Sequence, residues 1–360
     1  MLLARLSLGL ALLLAASPAQ KPSDEEVQRV HRATLLIDTH NDAPLRVIRG
    51  VDFGLRSQEG HTDVPRLREG GVGAVFFSAY VAPGYVPKGQ SLRRAVEVID
   101  AVRQDIIARY PDDFVAALTA DDIERARRQG KIAALIGVEG GHAIENSLRV
   151  LRTFHGLGAR YLTLTHFNTN DWADSSGDLN NPKVPHHNGL TDFGRQVIAE
   201  MNRIGMMVDV SHVADKTFWD VLEVSKAPIL ASHSSCRALC ADARNLTDEM
   251  LRALAAKGGL IQINFNPGFL TKRPAPPASL DDVVAHIDHA AKVGGIDAVG
   301  IGSDFDGIDQ APLGLEDVSK FPNLTRALLE KGYSASDIAK IYGANLLRLM
   351  RAVEAVACGR

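Results

Sequence analysis

Ile132-Ala133-Ala134-Leu135-Ile136-Gly137-Val138-Glu139-Gly140-Gly141-His142 passes from a continuous apolar run into one carboxylate set among glycines. An apolar run of this length reads as a buried strand, and an acid at its end is rarely buried unless it is paired or bound to a metal. The glycines that follow let the backbone pass close to a ligand. Taken alone, a carboxylate at the end of a strand is more often a helix cap or half of an ion pair than a metal ligand. Its company decides the matter. Leu35 to Asp42, Tyr161 to His166, Met207 to His212, Pro228 to His233 and Val299 to Asp304 are five further apolar runs that end in His or Asp. Six polar endings at the C-terminal ends of predicted strands place side chains from distant parts of the sequence on one rim.

Between these runs lie segments with helical spacing. Ser23 to Arg32 opens with a Ser cap and acids, and Ser91 to Tyr110 carries Ala95, Val96, Ile99, Val102 and Ile106 on one face. Further helices are predicted over Ser147 to Leu157, Thr191 to Arg203, Ala214 to Ser225, Thr247 to Ala256 and Leu280 to Val293. The remaining strands are Thr34 to His40, Gly73 to Tyr80, Arg160 to Phe167, Met206 to His212, Ile229 to His233, Leu260 to Phe265 and Ala298 to Phe305. Buried strands alternating with helices define a parallel sheet, and eight units match a (β/α)8 TIM barrel, whose active sites lie at the C-terminal ends of the strands. A doubly wound open sheet is the alternative. Asn323 to Val356 predicts C-terminal helices packed on the barrel. Asn168 to Gly189, polar and rich in Asn, Ser, Pro and Gly, predicts a long functional loop.

The 360 residues are 46% hydrophobic and 23% charged, which excludes disordered and fibrous classes. A formal net charge of -3 without a long basic run offers no footprint for nucleic acid or an anionic membrane, leaving a small molecule as partner. Residues 1–19 read as a cleaved secretory signal: Arg5, the apolar stretch Leu6 to Ala16, then Ser17-Pro18-Ala19. This predicts an exported protein, periplasmic or secreted, with residues 20–360 as one barrel domain. No Cys follows the apolar run and the tail is not hydrophobic, so no lipid anchor is expected. Cys236, Cys240 and Cys358 are an odd count that predicts no disulfide scaffold. Asn245 and Asn323 match the glycosylation sequon, but Asn245 stands beside Arg244 in an awkward place for a glycan.

His40 and Asp42 are two apart, so an extended backbone projects them to the same side, where they can share a cation. His212 and His233 add two imidazoles of the kind that bind zinc. With Glu139 the set holds three imidazoles and two carboxylates, too few to close two shells unless one carboxylate is shared. Two bridged metals lower the pKa of a water and polarise the bond under attack, which is hydrolytic chemistry. His142 reads as a supporting residue or a structural turn histidine, and His186 and His187 as solvated. Asp38 and Asp209 read as strand-end hydrogen-bonding groups.

The motifs Ile37 to Asp42, Gly137 to His142, Tyr161 to His166, Asn170 to Asp174, Val208 to His212, Ser232-His233-Ser234, Arg244-Asn245 and Gly302 to Gly307 occur in order along nearly the whole chain. In them the sequence resembles the membrane dipeptidase (renal dipeptidase) family of zinc peptidases, within the wider amidohydrolase-like barrels. The resemblance implies two Zn2+ per chain, one held by His40 and Asp42, the other by His212 and His233, and both bridged by Glu139. It implies that a bridging hydroxide attacks the peptide carbonyl of a small dipeptide. Glu139, His166 and Asp304 would be the catalytic set. His166 would meet the scissile carbonyl, Arg244 the C-terminal carboxylate, and Asp304 would lie beside the bridging water and assist proton transfer. Most cysteines of the animal members and their lipid-anchor tail are missing, so disulfides and anchoring do not carry over. A homodimer is left open. Another amidohydrolase activity, on β-lactams or N-acyl amino acids, and a non-catalytic binding protein are the competing readings.

Overall fold

The computed structural model describes residues 21–357, so the predicted signal segment and Cys358 lie outside the described residues. Nine strands form one parallel sheet: β1 Leu36–Asn41, β2 Val72–Tyr80, β3 Phe114–Ala116, β4 Ile132–Glu139, β5 Ala159–Thr163, β6 Met207–Asp209, β7 Leu230–Ser234, β8 Leu260–Ile263 and β9 Val299–Ile301. Eight run in the order β1-β2-β4-β5-β6-β7-β8-β9. Between β9 and β1 there is no regular ladder. The ends meet through a single bridge, Asn41 with Phe305, and two amides: Asp42 donates to the Phe305 carbonyl (2.9 Å) and Asp304 to the His40 carbonyl (3.1 Å). The architecture is a TIM barrel nearly closed around its sheet, as the alternation of strands and helices predicts.

The sequence reading misses β3 and the helix Ala120–Arg128. β3 is three residues long and pairs Ile132 to Ala134 of β4, whereas β5 joins β4 only from Ile136 onward. It therefore covers an edge that would otherwise be unpaired. The helix presents only Ala120, Ile123 and Ala126 to the interior among charged residues, too thin an apolar face to stand out. The helix expected over Ser91 to Tyr110 runs as an α-helix from Ser91 to Ala101 and then widens into a π-helical stretch, Val102–Ala108.

Strand residues alternate between two hydrophobic layers. Ile132, Ala134, Ile136 and Val138 face the helices, while Ala133 and Leu135 face the barrel axis with Ile37, Phe76, Tyr161 and Met207. Continuing the alternation carries Gly137 and Glu139 to the axis. Gly137 must lack a side chain, because a Cβ there would lie 1.9 Å from the Tyr161 ring. The last helix, Asn345–Ala357, sends Leu346, Leu349, Met350 and Val353 into this inner layer and plugs the N-terminal mouth of the barrel. The opposite mouth is left for polar groups.

The predicted strands through Phe167, His212 and Phe305 stop earlier, at Thr163, Asp209 and Ile301. Beyond the strand ends the rim is held by side chains. Asp38 accepts from the Ser303 amide (2.8 Å) and hydroxyl (2.6 Å), and Asp209 accepts from the Ser232 amide (2.8 Å) and hydroxyl (2.6 Å). These bonds assign Asp38 and Asp209 to strand-end cross-linking. His212 and Asp304 follow in left-handed conformation, with φ of 69° and 64°. For residues other than glycine such backbone costs about 1–3 kcal/mol and gathers at functional sites.

Candidate metal centre and active site

Glu139 stands at the centre of the C-terminal mouth. Its Oε1 lies 3.0 Å from His212 Nε2, 3.3 Å from His233 Nε2 and 3.9 Å from His166 Nε2, and its Oε2 lies 3.4 Å from His40 Nε2. Asp42 Oδ2 is 3.3 Å and Asp304 Oδ1 4.0 Å from the same His40 nitrogen. All five expected ligands and Asp304 converge, none more than 9% exposed. His40, Asp42 and Glu139 form one compact donor group, Glu139, His166 and His212 a second, and His40, His233 and Asp304 a third.

Neighbours set the imidazole orientations. His40 Nδ1 is 2.8 Å from the Tyr161 hydroxyl, which itself donates to the Thr39 carbonyl (3.1 Å). In the neutral imidazole that a metal would bind, the tautomer consistent with both bonds puts the proton on Nδ1 and a lone pair on Nε2. His233 Nδ1 is likewise 2.7 Å from the Ser232 hydroxyl, which donates to Asp209, so its Nε2 also offers a lone pair. Outer partners of this kind orient metal-binding histidines. Neither Tyr161 nor Ser232 stands out in the sequence as a site residue. Ser232, next to His233, leaves a trace in its motif; Tyr161 is indistinguishable there from an apolar core residue.

The donor set fits a cation. Nitrogen lone pairs and carboxylate oxygens face one another at 3.0–3.4 Å, and His40 Nε2 and Asp42 Oδ1 are buried without a hydrogen-bond partner. Burial alone would discharge these groups, but the charges around them decide otherwise. Burial raises the Glu139 carboxyl, yet His40, His212 and His233 outweigh it and hold Glu139 well below the usual range. Burial lowers His40, but Tyr161, Glu139 and Asp42 push it well above its ordinary value. His212 and His233 are held neutral, chiefly by burial. Burial, reinforced by Asp42 and Glu139, lifts Asp304 to about 7.

A cavity of about 350 Å³ opens over this centre, walled by Leu45, Tyr80, Phe167, Asn266 and Phe269 as well as by Asp42, Glu139, His166, His212 and Asp304. Asn264, which the sequence reading passes over, donates from Nδ2 to Asp304 Oδ2 (3.0 Å) and leaves Oδ1 toward His40. Arg244 folds back onto the end of β7. Its Nη1 donates to Ser234 Oγ and its Nη2 to the His233 carbonyl, both at 2.8 Å, and its Nε has no partner. The alternative pairing with Asp242 does not form: that carboxylate accepts from Lys272 (2.7 Å) and from the Arg244 amide (2.9 Å). At 3% exposure Arg244 is a buried cation without a carboxylate partner among the described residues, behind Phe269 in the wall.

The remaining candidates lie apart. Neither ring nitrogen of His142 bonds a site residue, and burial lowers it to about 4, so it is a structural histidine of the turn. His186 is exposed, whereas His187, expected to be solvated, is tied into its loop by its ring (2.9 Å to the Asn170 carbonyl). Cys236 and Cys240 are free and buried. The Asn245 amide donates to the Cys240 and Phe269 carbonyls, both at 2.9 Å, and is buried away from any glycan.

A parallel barrel with a histidine and carboxylate cluster at its C-terminal mouth defines a metal-dependent hydrolase. Residues 24–359 match the family described as membrane dipeptidase, peptidase family M19. Dipeptidase tcpJ of Claviceps purpurea is 42% identical over 90% of this chain and 78% of its own length. An uncharacterised dipeptidase of Schizosaccharomyces pombe is 40% identical over 93% and 84%. Among solved structures, a metallopeptidase from Rhodobacter sphaeroides, liganded with a phosphinate mimic of the dipeptide L-Ala-D-Ala, superposes with a TM-score of 0.81 at 30% identity, covering 89% of this chain and 99% of that one. The chain belongs to the membrane dipeptidase family and is a metallo-dipeptidase.

Proposed function

We propose that the protein is an exported dinuclear zinc dipeptidase that cleaves small dipeptides into free amino acids. His40 and Asp42 would hold one cation, His212 and His233 the other, and Glu139 both; its two oxygens already face the two histidine groups separately. Imidazole and carboxylate donors suit Zn2+. A bound cation pair would supply an acidified water and polarise the carbonyl under attack. Neutral His166, with Nε2 toward the cavity centre, can donate to the oxygen of the scissile carbonyl. Asp304, fixed through Oδ2 by Asn264, is placed to take a proton and pass it to the leaving amine. The apolar run Leu6 to Ala16 supports export.

Arg244 carries the dipeptide reading. A buried guanidinium without a carboxylate partner is costly, and a substrate carboxylate one residue past the cleaved bond would supply the missing anion. The group would then measure the distance from scissile bond to chain end. A dipeptide such as L-Ala-L-Ala or L-Ala-D-Ala should be cleaved far faster than its C-terminal amide. Arg244→Met should lower kcat/KM on the acid by about 2–5 kcal/mol and erase the difference from the amide, with both cations retained by elemental analysis. Equal rates on acid and amide in the unmodified enzyme would refute the assignment.

A further inference from the structure

We infer that Ser175 and Ser176, in the long loop after β5, are positioning residues that hold His212 in its metal-binding conformation. The inference rests on the reading of His212 as a ligand of the second cation. The His212 carbonyl accepts from the Ser176 amide (2.8 Å) and the Ser176 hydroxyl (2.9 Å), and lies 3.2 Å from the Ser175 hydroxyl, whose single hydrogen it shares with a second acceptor. The Ser175 hydroxyl also reaches the His166 carbonyl, so one side chain ties together the backbones of two site histidines. A bridge between Ser175 and Val213 extends the contact past His212.

His212 needs such a brace more than the other histidines of the site. His40 and His233 lie within strands β1 and β7, whereas His212 lies three residues past the end of β6 in left-handed backbone, with no partner on Nδ1. Its Nε2 faces Glu139, but Nδ1 lacks the outer partner that Tyr161 gives His40 and Ser232 gives His233, so the placement of the ring depends more on its backbone. The loop is built to resist displacement. Trp172 is fully buried against Gly141, where a Cβ would come within 2.5 Å of its ring. The Asp174 carboxylate accepts from the amides of His187 and Gly189, both at 2.9 Å, closing the loop on itself. The Asp174 carbonyl accepts from the Thr217 hydroxyl (2.9 Å) and the Ala214 amide (2.9 Å), fixing the loop to the helix that follows His212. The serines thus stand on a rigid base and press on the one histidine among the proposed ligands that lies outside the strands.

Calorimetric binding of zinc to the full-length metal-free protein separates the two sites without reference to turnover. The unmodified protein should take up two ions. The Ser175→Ala/Ser176→Ala double variant should bind one ion as before and the second about 10- to 100-fold more weakly, the range for removing groups that orient metal ligands. Ser176→Ala, which keeps both its own amide bond and Ser175, should show a smaller loss at the same site and serves if the double variant does not fold. Ser176→Thr, which restores a hydroxyl, should recover it. Unchanged binding of both ions, or equal weakening of both, would overturn the inference. An unmodified protein that binds a single ion would instead overturn the dinuclear reading and the inference with it, a failure visible before any variant is made.

Discussion

Gly307→Ala is the smallest change that reaches the centre of the site. Gly307 is not among the residues of positive φ, so an alanine there meets no backbone strain. The added methyl would instead lie 2.4 Å from Asp42 Oδ2 and 2.6 Å from Asp304 Oδ1. Both fall short of ordinary van der Waals contact by about 1 Å. The backbone is tied by the bond from the Gly307 amide to the Asp304 carbonyl (3.0 Å), so the two carboxylates must give way. Those are the groups proposed to hold a cation and to move the proton. A displacement of about 1 Å at the chemistry can cost on the order of 10²-fold, or about 2.7 kcal/mol of barrier. Stability should fall by about 1–3 kcal/mol at most, the usual cost of overpacking against buried side chains, partly offset by the lower entropy of the unfolded chain. Kinetics on L-Ala-L-Ala, elemental analysis and thermal melting, run on the same preparation, separate these effects. Undiminished kcat/KM with full cation content would refute the reasoning, and a collapse in melting temperature would show that Gly307 serves the fold and not the site.

Asp304→Asn should keep both cations and lose about 10²–10⁴ in kcat, the usual contribution of a general acid-base group; loss of metal in that variant would make Asp304 a ligand instead. His142 predicts a pH dependence of stability. Its folded pKa is lowered to about 4 by burial, against an unfolded value near 6.5, so below that value the unfolded chain binds the extra proton. The contribution is whole above about pH 6.5 and drains away as pH falls toward 4, on the order of 3 kcal/mol at most. His142→Gln should flatten the acid limb of the melting-temperature profile over that window; an unaltered limb would show that another group controls it.

The fold and the convergence of the rim residues were legible because both rest on patterns that sequence records directly. Buried strands appear as apolar runs, and their ends appear as abrupt polar residues, so the six endings from His40 to Asp304 could be read as one rim. What escaped depends on partners distant in the chain. Tyr161 orients His40 across 121 residues, and its hydroxyl looks in sequence like part of a core strand. Asn264 faces Asp304 from the neighbouring strand end, one residue beyond β8, and no motif distinguishes it from a turn residue. Strand ends were overread because the apolar pattern runs past the regular strands: Val210 and Leu164 are buried and their amides still bond to the Leu230 and Asp209 carbonyls, yet both lie outside the strands. The short β3 fell below the length at which alternation can be seen.

The seam between β9 and β1 places a constraint on how the chain comes to be active. The first and last strands of the barrel touch through Asn41, Asp42, Asp304, Phe305 and the Ser303 to Asp38 bonds, all of them in or beside the candidate metal centre. His40 and Asp42 lie at the end of β1, whereas Asp304 follows β9, so the last strand and Asp304 are synthesised well after the first strand. Until then the mouth of the barrel lacks one wall, and the early histidine and carboxylate have no enclosure in which to retain a metal. Closing the barrel and completing the centre thus use the same contacts. Any product cut short before β9 carries all five proposed ligands but lacks both the last strand and Asp304, and so remains a gapped sheet without the group proposed to move the proton.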